Sequence, residues 1–557
     1  MKMFTMSADV LVVGGGLSGL NAAMGAAENG ASVMIVDKGK IERSGSIGGG
    51  VDHFLAYLNE GEDWDTADSF LQYVEKVGRG TAHMSIIEKT YCEELEDSIE
   101  RMARIGNPLT QPDGSFYRTA SMGQPGPYWI NFNGKLLKPC LGNAVRKLGC
   151  KALAKTMIVD LLTHHGEVVG ALGFHIRTGN FYVIHAKATI VSTGNTNRLF
   201  ENPRGNPFNT WLCPYDTGDG QVMAAAAGAK LANMEYMRMT LLPKGFSAPG
   251  FNALTGMGGR FMNGLGEYYM EKNHPAGNKA PRYEIVFQSL EEKRQGRGPL
   301  YIDCRHLNEE DITHLKTTLG YDKDTLPDYL EQRHEDLATD PVEINISEGM
   351  QAGPTEVTGS GVKIDGDCAS NVPGLYACGD AADHNRCVHG AITGGYRSGK
   401  SAAKFAAGRN FFADPDTVST EERADEFIAP LKRGSGYPYR QLEDSVRRIM
   451  QENVGPMRSE HGLNTALTKL TRLEKHLDDM KVEDLHELMR SQETRSILEV
   501  GKISATAALY RKESRNKPYH YRLDYPETDD ENWCGLVAVQ KSGDAYECSF
   551  DPIKYVA

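Results

Sequence analysis

Residues 8–19 read Ala8-Asp9-Val10-Leu11-Val12-Val13-Gly14-Gly15-Gly16-Leu17-Ser18-Gly19, and after a small-residue stretch the chain continues Val33-Met34-Ile35-Val36-Asp37-Lys38. An apolar run, a glycine-rich turn, an Ala/Gly-rich helix over 20–29 and a second apolar run make a nucleotide-binding βαβ unit. Gly14 permits the tight turn, Gly16 lets backbone approach a pyrophosphate, and Gly19 lets helix and strand pack closely. The helix N-terminus faces the phosphate charge. Asp37, eighteen residues past Gly19, is placed for a ribose hydroxyl. This spacing alone does not distinguish NAD from FAD.

With 557 residues the chain is long enough for two or three domains. A net charge of −13 argues against nucleic acid as the main partner, because phosphate binding needs clustered Lys and Arg. No apolar run is long enough for direct membrane insertion, and the first strand begins without a secretory h-region, so a cytoplasmic location is expected. The cysteines at 92, 140, 150, 213, 304, 368, 378, 387, 534 and 548 form no CxxC and no ferredoxin-like spacing. They read as reduced, mostly buried thiols, and no metal site is expected.

Farther along, 156–186 reads as a β-meander with turns at Gly166 and Thr178-Gly179, and 188–195 as a separate buried strand ending on Thr193-Gly194-Asn195. Thr217 or Asp219 is expected to cap the alanine-rich helix 221–228. Residues 233–351, richer in Met, Pro, Gly and charge, read as an inserted α/β domain. The nucleotide-binding fold resumes at Gly374-Leu375-Tyr376-Ala377-Cys378-Gly379-Asp380 and continues through His389-Gly390-Ala391 into Gly394-Gly395, glycines that let amides approach a planar ring or an anion. Leu463, Leu467, Leu470 and Leu473 supply a helix-packing stripe, and no chemistry is assigned to that region.

Together the GGGLSG at 14–19, TGDG at 217–220, GLYACGD at 374–380 and HGA at 389–391 resemble the fumarate reductase and succinate dehydrogenase flavoprotein superfamily. So does the tail, Arg511-Lys512-Glu513-Ser514-Arg515 with Tyr521-Arg522-Leu523-Asp524-Tyr525-Pro526 and Asp529-Asp530-Glu531-Asn532-Trp533. Ile41-Glu42-Arg43-Ser44-Gly45-Ser46 resembles the VERSG segment of the adenylylsulfate reductase α-subunit branch. The resemblance covers Ala8 to Trp533. It implies an α/β fold: a Rossmann-like FAD-binding domain of the glutathione-reductase type (1–232 and 353–412), an inserted α+β capping domain (233–352), a C-terminal helical domain (413–510) and a tail (511–557).

The implied cofactor is FAD. Its expected contacts are Gly14, Gly16, Leu17, Ser18, Gly19, Asp37, Lys38, Ser44, Gly45, Ser46, Gly49, Gly50, Ile158, Thr193, Gly194, Asn195, Asp219, Gly379, Asp380, Gly395, Tyr396 and Ser398. Respiratory relatives attach FAD through a His after Arg-Ser; Gly45 stands there, so the flavin is expected to be non-covalent. The proton-delivering arginine of the RGEGG motif is replaced in Thr255-Gly256-Met257-Gly258-Gly259. The substrate His of the FxQFHP segment gives way to 235–240, and the arginine two residues past HGA to Thr393. A four-carbon dicarboxylate would thereby lose most of its charge partners, each worth about 1.5–3 kcal/mol. The substrate arginine and flavin-side Asn of the adenylylsulfate reductase branch align with Leu242 and Leu55, which implies a changed substrate.

His389 aligns with the histidine over the flavin in both branches and is expected to be the substrate-facing donor or acid. Arg260, Arg238, Lys244 and Arg397 are the candidate cations, with Arg397 and Arg260 ranked first. The expected activity is two-electron transfer between FAD and a small anionic organic or sulfur-containing substrate, with a ferredoxin-like iron–sulfur subunit exchanging electrons. The alternatives are a stand-alone flavin oxidase resembling aspartate oxidase and a non-catalytic electron-transfer flavoprotein.

Overall fold

The computed structural model describes residues 2–248, 250–410, 412–415 and 420–554. Met1, the last three residues of the expected tail and part of the start of the expected helical domain lie outside the described residues. The central sheet takes β1 (Met3–Val13), β2 (Val33–Val36), β3 (Lys151–Leu153), β4 (Thr156–His164), β5 (Glu167–His175), β6 (Phe181–Val191) and β7 (Leu375–Ala377). Its order is β3-β2-β1-β6-β5-β4, with β7 on β6. Val12 pairs in parallel with Ile35 on one side and Ile190 on the other. Val10–Val13 and Val33–Val36 are buried throughout, as strands covered on both faces must be.

The expected separate strands at 180–186 and 188–195 run together as one strand, β6, which ends at Val191. Its first half pairs antiparallel with β5, and its last three residues pair in parallel with β7. One continuous strand thus serves both the meander and the resumed nucleotide-binding fold, bringing residue 377 beside residue 191.

Helix α1 (Leu17–Glu28) lies against α2 (Cys387–Ala407). Gly395, expected to face the ring, and Gly399 are the reason the two fit. A Cβ on Gly395 would stand 2.6 Å from the Ser18 carbonyl oxygen, and one on Gly399 2.0 Å from that of Ala22. Gly379 is placed alike, with a Cβ there 2.4 Å from Ser18 Oγ.

Residues 241–346 contribute a four-stranded antiparallel sheet (Leu241–Pro243, Val342–Ile346, Leu300–Asp303, Arg260–Met262) with helix Arg282–Arg294 against it, and helix Glu309–Asp322 packs on helix Phe251–Gly256. Helices Tyr439–Val454, Glu460–Glu474 and α3 (Leu485–Tyr510) pack together with Leu463 and Leu470 fully buried. The end of the chain is a hairpin, Gly535–Ser542 with Ala545–Pro552, whose first strand pairs with Leu231–Ala232. The charged segment before it is buried. Arg511 bonds Glu235 at 2.7 Å and Glu513 at 2.8 Å, and Arg515 bonds Glu513 at 2.7 Å. The Arg-rich signature therefore locks the tail onto residues 233–240, a network in which every charge needs its partner.

Candidate active site

Where β1 gives way to α1, the chain opens onto a cavity of about 790 Å³. Gly14 has φ +102°, and a Cβ there would lie 2.5 Å from the Ser192 carbonyl oxygen, so only glycine makes this turn. Gly16 caps α1 without a side-chain hydrogen bond, and no acidic residue sits in the first turn, leaving the helix's amides and positive end for an anion. Asp37 accepts from the Gly15 amide at 2.7 Å, the Gly39 amide at 2.6 Å and Ser44 Oγ at 3.0 Å, which folds the 37–46 loop round the cavity mouth. Lys38 donates to the Tyr215 carbonyl at 2.6 Å, Asp219 at 2.8 Å and Glu493 at 3.1 Å. Burial opposes the Lys38 charge, but Asp219 and Glu493 raise its pKa well above the ordinary value.

Asp219 thus anchors Lys38 instead of capping its helix, whose N-cap is Gly218 with no side-chain bond. Asp219 Oδ1 and Thr193 Oγ1 are buried, line the cavity and have no protein partner. Orphaned polar atoms beside an uncapped helix N-terminus and a close-approach glycine fit a bound dinucleotide.

Of the residues expected at the cofactor, Gly14, Gly16, Leu17, Ser18, Asp37, Lys38, Ser44, Gly45, Ser46, Gly49, Gly50, Ile158, Thr193, Gly194, Asp219 and Asp380 line this cavity. Gly19, Asn195, Gly379, Gly395, Tyr396 and Ser398 do not. Gly19 is a packing residue, with a Cβ there 1.9 Å from the Gly14 carbonyl oxygen. The Asn195 amide turns to Met350, Tyr396 donates to Glu28 at 2.7 Å, and Ser398 is buried inside α2. The helical region, given no chemistry from sequence, supplies part of the wall through His486, Met489, Arg490 and Glu493 of α3. Its periodicity shows the packed face and hides the other.

The cavity wall also carries three nearly inaccessible guanidinium groups, those of Arg238, Arg282 and Arg386. Arg238 Nη2 donates to Glu356 Oε1 at 2.6 Å, and Arg282 Nε donates to the same oxygen at 2.8 Å. Arg386 Nη1 reaches the Thr355 carbonyl at 3.2 Å, and its nearest carboxylate, Asp380, is 3.8 Å away. Burial alone would raise the Glu356 carboxyl, but Arg238 and Arg282 hold it down at about 2. Arg238 is raised by Glu356 against its burial, while Arg282 is lowered by burial and then by Arg238, although Glu356 opposes this. Glu356 and the more distant Asp380 are still fewer than the three guanidinium charges around them, which is a built-in attraction for an anion. Asn385 (φ +65°) and Cys387 (φ +62°) hold the chain in the left-handed region on either side of Arg386, backbone strain of the kind that gathers at functional sites.

The ranking of cations from sequence is therefore reversed. Arg397 is consumed by the carbonyls of Gly366 (2.6 Å) and Lys89 (3.0 Å) and by Glu93 (2.9 Å). Arg260 forms a two-pronged pair with Glu271 at 2.6 and 2.7 Å and covers the Tyr268 ring. Neither lines the cavity, and Lys244 pairs with Glu343 on the surface. Arg238, ranked lower, is in the wall; Arg282 and Arg386 carried no local motif and were missed.

His389 lies behind the wall. It is fully buried, with Nε2 3.1 Å from the Glu356 carbonyl oxygen and its ring edge-on to Phe54, Tyr91 and Trp129. Burial, the largest cause, pushes its pKa down to about 3. A neutral imidazole at that depth is no acid near neutral pH, which corrects the expected role. It braces the Glu356 backbone instead. Among the described residues no cluster of His, Cys, Asp and Glu suits a metal, and no helix is long and apolar enough to cross a membrane.

Residues 9–400 match the FAD binding domain family, and residues 443–556 the fumarate reductase flavoprotein C-terminal family. An uncharacterized FAD-dependent oxidoreductase of Methanocaldococcus jannaschii is 27% identical over 96% of each chain. A fumarate reductase (CoM/CoB) subunit of Methanothermobacter marburgensis is 26% identical over 94% of this chain and 95% of its own. Adenylylsulfate reductase from Archaeoglobus fulgidus shares the fold, with a TM-score of 0.89 at 24% identity over 100% of this chain and 97% of that one. With the dinucleotide cradle and these matches in place, the chain belongs to the FAD binding domain family and is an FAD-dependent oxidoreductase with a fumarate reductase-type flavoprotein C-terminal region.

Proposed function

We propose that the chain is a flavoprotein subunit that carries out two-electron transfer on a small anionic substrate, an organic acid or a sulfur-containing anion, and exchanges electrons with a ferredoxin-like iron–sulfur subunit. The observation that carries this is the Arg238–Arg282–Arg386 cluster. Three fixed positive charges face Glu356 in direct contact and Asp380 at 3.8 Å, which leaves about one charge to be met by ligand, in a setting where desolvation strengthens each contact. Bound in the cradle, FAD supplies the two-electron exchange; the protein holds it without a covalent link and orients the substrate. Arg238 and Arg282 are fixed by Glu356, so they meet a ligand with little reorganisation. Arg386 has spare donors and is the arginine with most to give to one.

The partner reading is supported by names among the relatives: the Methanothermobacter protein is one subunit of its reductase, and a relative from Wolinella succinogenes is the flavoprotein subunit of an 8-methylmenaquinol:fumarate reductase. The test is anaerobic purification from the native host, identification of co-purifying iron–sulfur protein, and flavin bleaching or reoxidation against anionic sulfur compounds, saturated dicarboxylates and enoates. Bleaching by an anion, weakened in Arg386→Gln, is expected. Peroxide release with no partner would replace this reading by the oxidase, and no response to any anion would refute it.

A further inference from the structure

Behind the glycine turn, off the cavity wall, the fold buries a lysine. Lys138 is 1% exposed in the first turn of helix Leu137–Lys147, which packs against α1. Two effects oppose a cation in that position. Burial pushes its pKa down to about 8 although Asp37, Asp216 and Cys213 favour the charge, and the positive end of the helix repels it. A methionine would fill the same helix face beside Leu141 and Val145 with neither penalty. What lysine adds is a donor: Nζ bonds the Gly15 carbonyl oxygen, which Ser44 Oγ also reaches at 3.3 Å.

Gly15 is thereby held on both sides. Its amide goes to Asp37 Oδ2 at 2.7 Å and its carbonyl to Lys138, and it stays off the cavity wall that Gly14 and Gly16 line. The peptide joining Gly15 to Gly16 is planar and trans, so its N–H points opposite to its C=O. With the carbonyl turned to Lys138, the Gly16 amide is turned to the cavity. The link has a glycine at either end, so no side chain resists its rotation, and rotation would swap the amide for a carbonyl oxygen facing the anion. We propose that Lys138 is a positioning residue of the dinucleotide cradle: by holding the Gly15 carbonyl outward it keeps the Gly16 amide turned into the cavity for the diphosphate of FAD. The hydrogen bond carries this role and the charge does not, because Lys138 lines no part of the cavity and Asp37 and Asp216 stand near it to offset its field.

Full-length protein reconstituted with FAD or with riboflavin, which has no diphosphate, separates this role from general packing. Lys138→Met is expected to weaken FAD binding about ten- to a hundredfold, the worth of one hydrogen bond to a charged group, and riboflavin binding less than about threefold. Lys138→Gln, a neutral donor, should recover most of that loss. FAD affinity within about threefold of wild type in Lys138→Met, an equal loss for both flavins, or a glutamine variant as weak as the methionine one would overturn the proposal. A second arm needs no variant: hydrogen exchange of the peptide spanning 14–18 in the wild-type protein, read by mass spectrometry, should be slower with FAD than with riboflavin. Equal exchange with the two flavins would overturn it as well.

Discussion

Glu356→Gln separates a charge-built site from a merely buried one. The carboxylate accepts from Arg238 at 2.6 Å and from Arg282 at 2.8 Å, and both arginines are almost wholly buried. Glutamine keeps the shape and removes the charge, leaving guanidinium groups uncompensated; breaking a buried pair in this way costs about 3–5 kcal/mol. With an unfolding entropy of about 2.1 cal/mol/K per residue, that is a fall of about 3–4 °C in Tm for a chain of this length if it unfolds cooperatively. Because Glu356 is held near 2, below its ordinary 4.5, its contribution is complete above pH 4.5 and is lost as the pH falls toward 2, about 3 kcal/mol over that window. The variant should lack this acid limb. It should also bind a dianion more tightly, so excess sulfate or succinate should restore Tm, by about 2.7 kcal/mol at one hundred times Kd. Tryptophan-detected melts with and without the dianion, at matched ionic strength, make the measurement. A variant as stable as wild type, or one rescued equally by sodium chloride, would refute the reasoning.

Gly19→Ala should abolish flavin retention, read as the 450 nm absorbance of the purified protein, because its Cβ would stand 1.9 Å from the Gly14 carbonyl oxygen and force α1 off the cradle. Arg260→Gln should leave flavin content and dianion binding unchanged and cost at most about 1 kcal/mol, as befits an exposed pair, and a loss of anion binding would contradict its placement. Arg397→Gln, by contrast, should lower Tm by removing the tie between α2 and residues 89–94 while sparing anion binding, which calorimetry with succinate checks. Acid precipitation should leave the yellow colour in the supernatant, since Gly45 stands where relatives carry the linking His; colour in the pellet would refute non-covalent binding.

The glycine turn, the two strands round it and Asp37 were legible in sequence because they are local. A tight turn, a helix start and an acidic residue at a strand end each follow from neighbours in the chain. The apolar stripe at Leu463 and Leu470 was legible for the same reason, periodicity being a property of one helix. What sequence misjudged depended on distance. Gly395 looked like a ligand-facing glycine, yet its missing side chain makes room for α1, which is nearly four hundred positions away. Arg397 and Arg238 are indistinguishable as letters; what separates them is that five acceptors surround the first, and the second stands beside a carboxylate at residue 356 on the cavity wall. The chain by itself determined that a dinucleotide is cradled at its start. Only the tertiary structure decided which charges meet in that cavity, because the field at a site is a sum over groups brought near in space, and no interval along the chain records it.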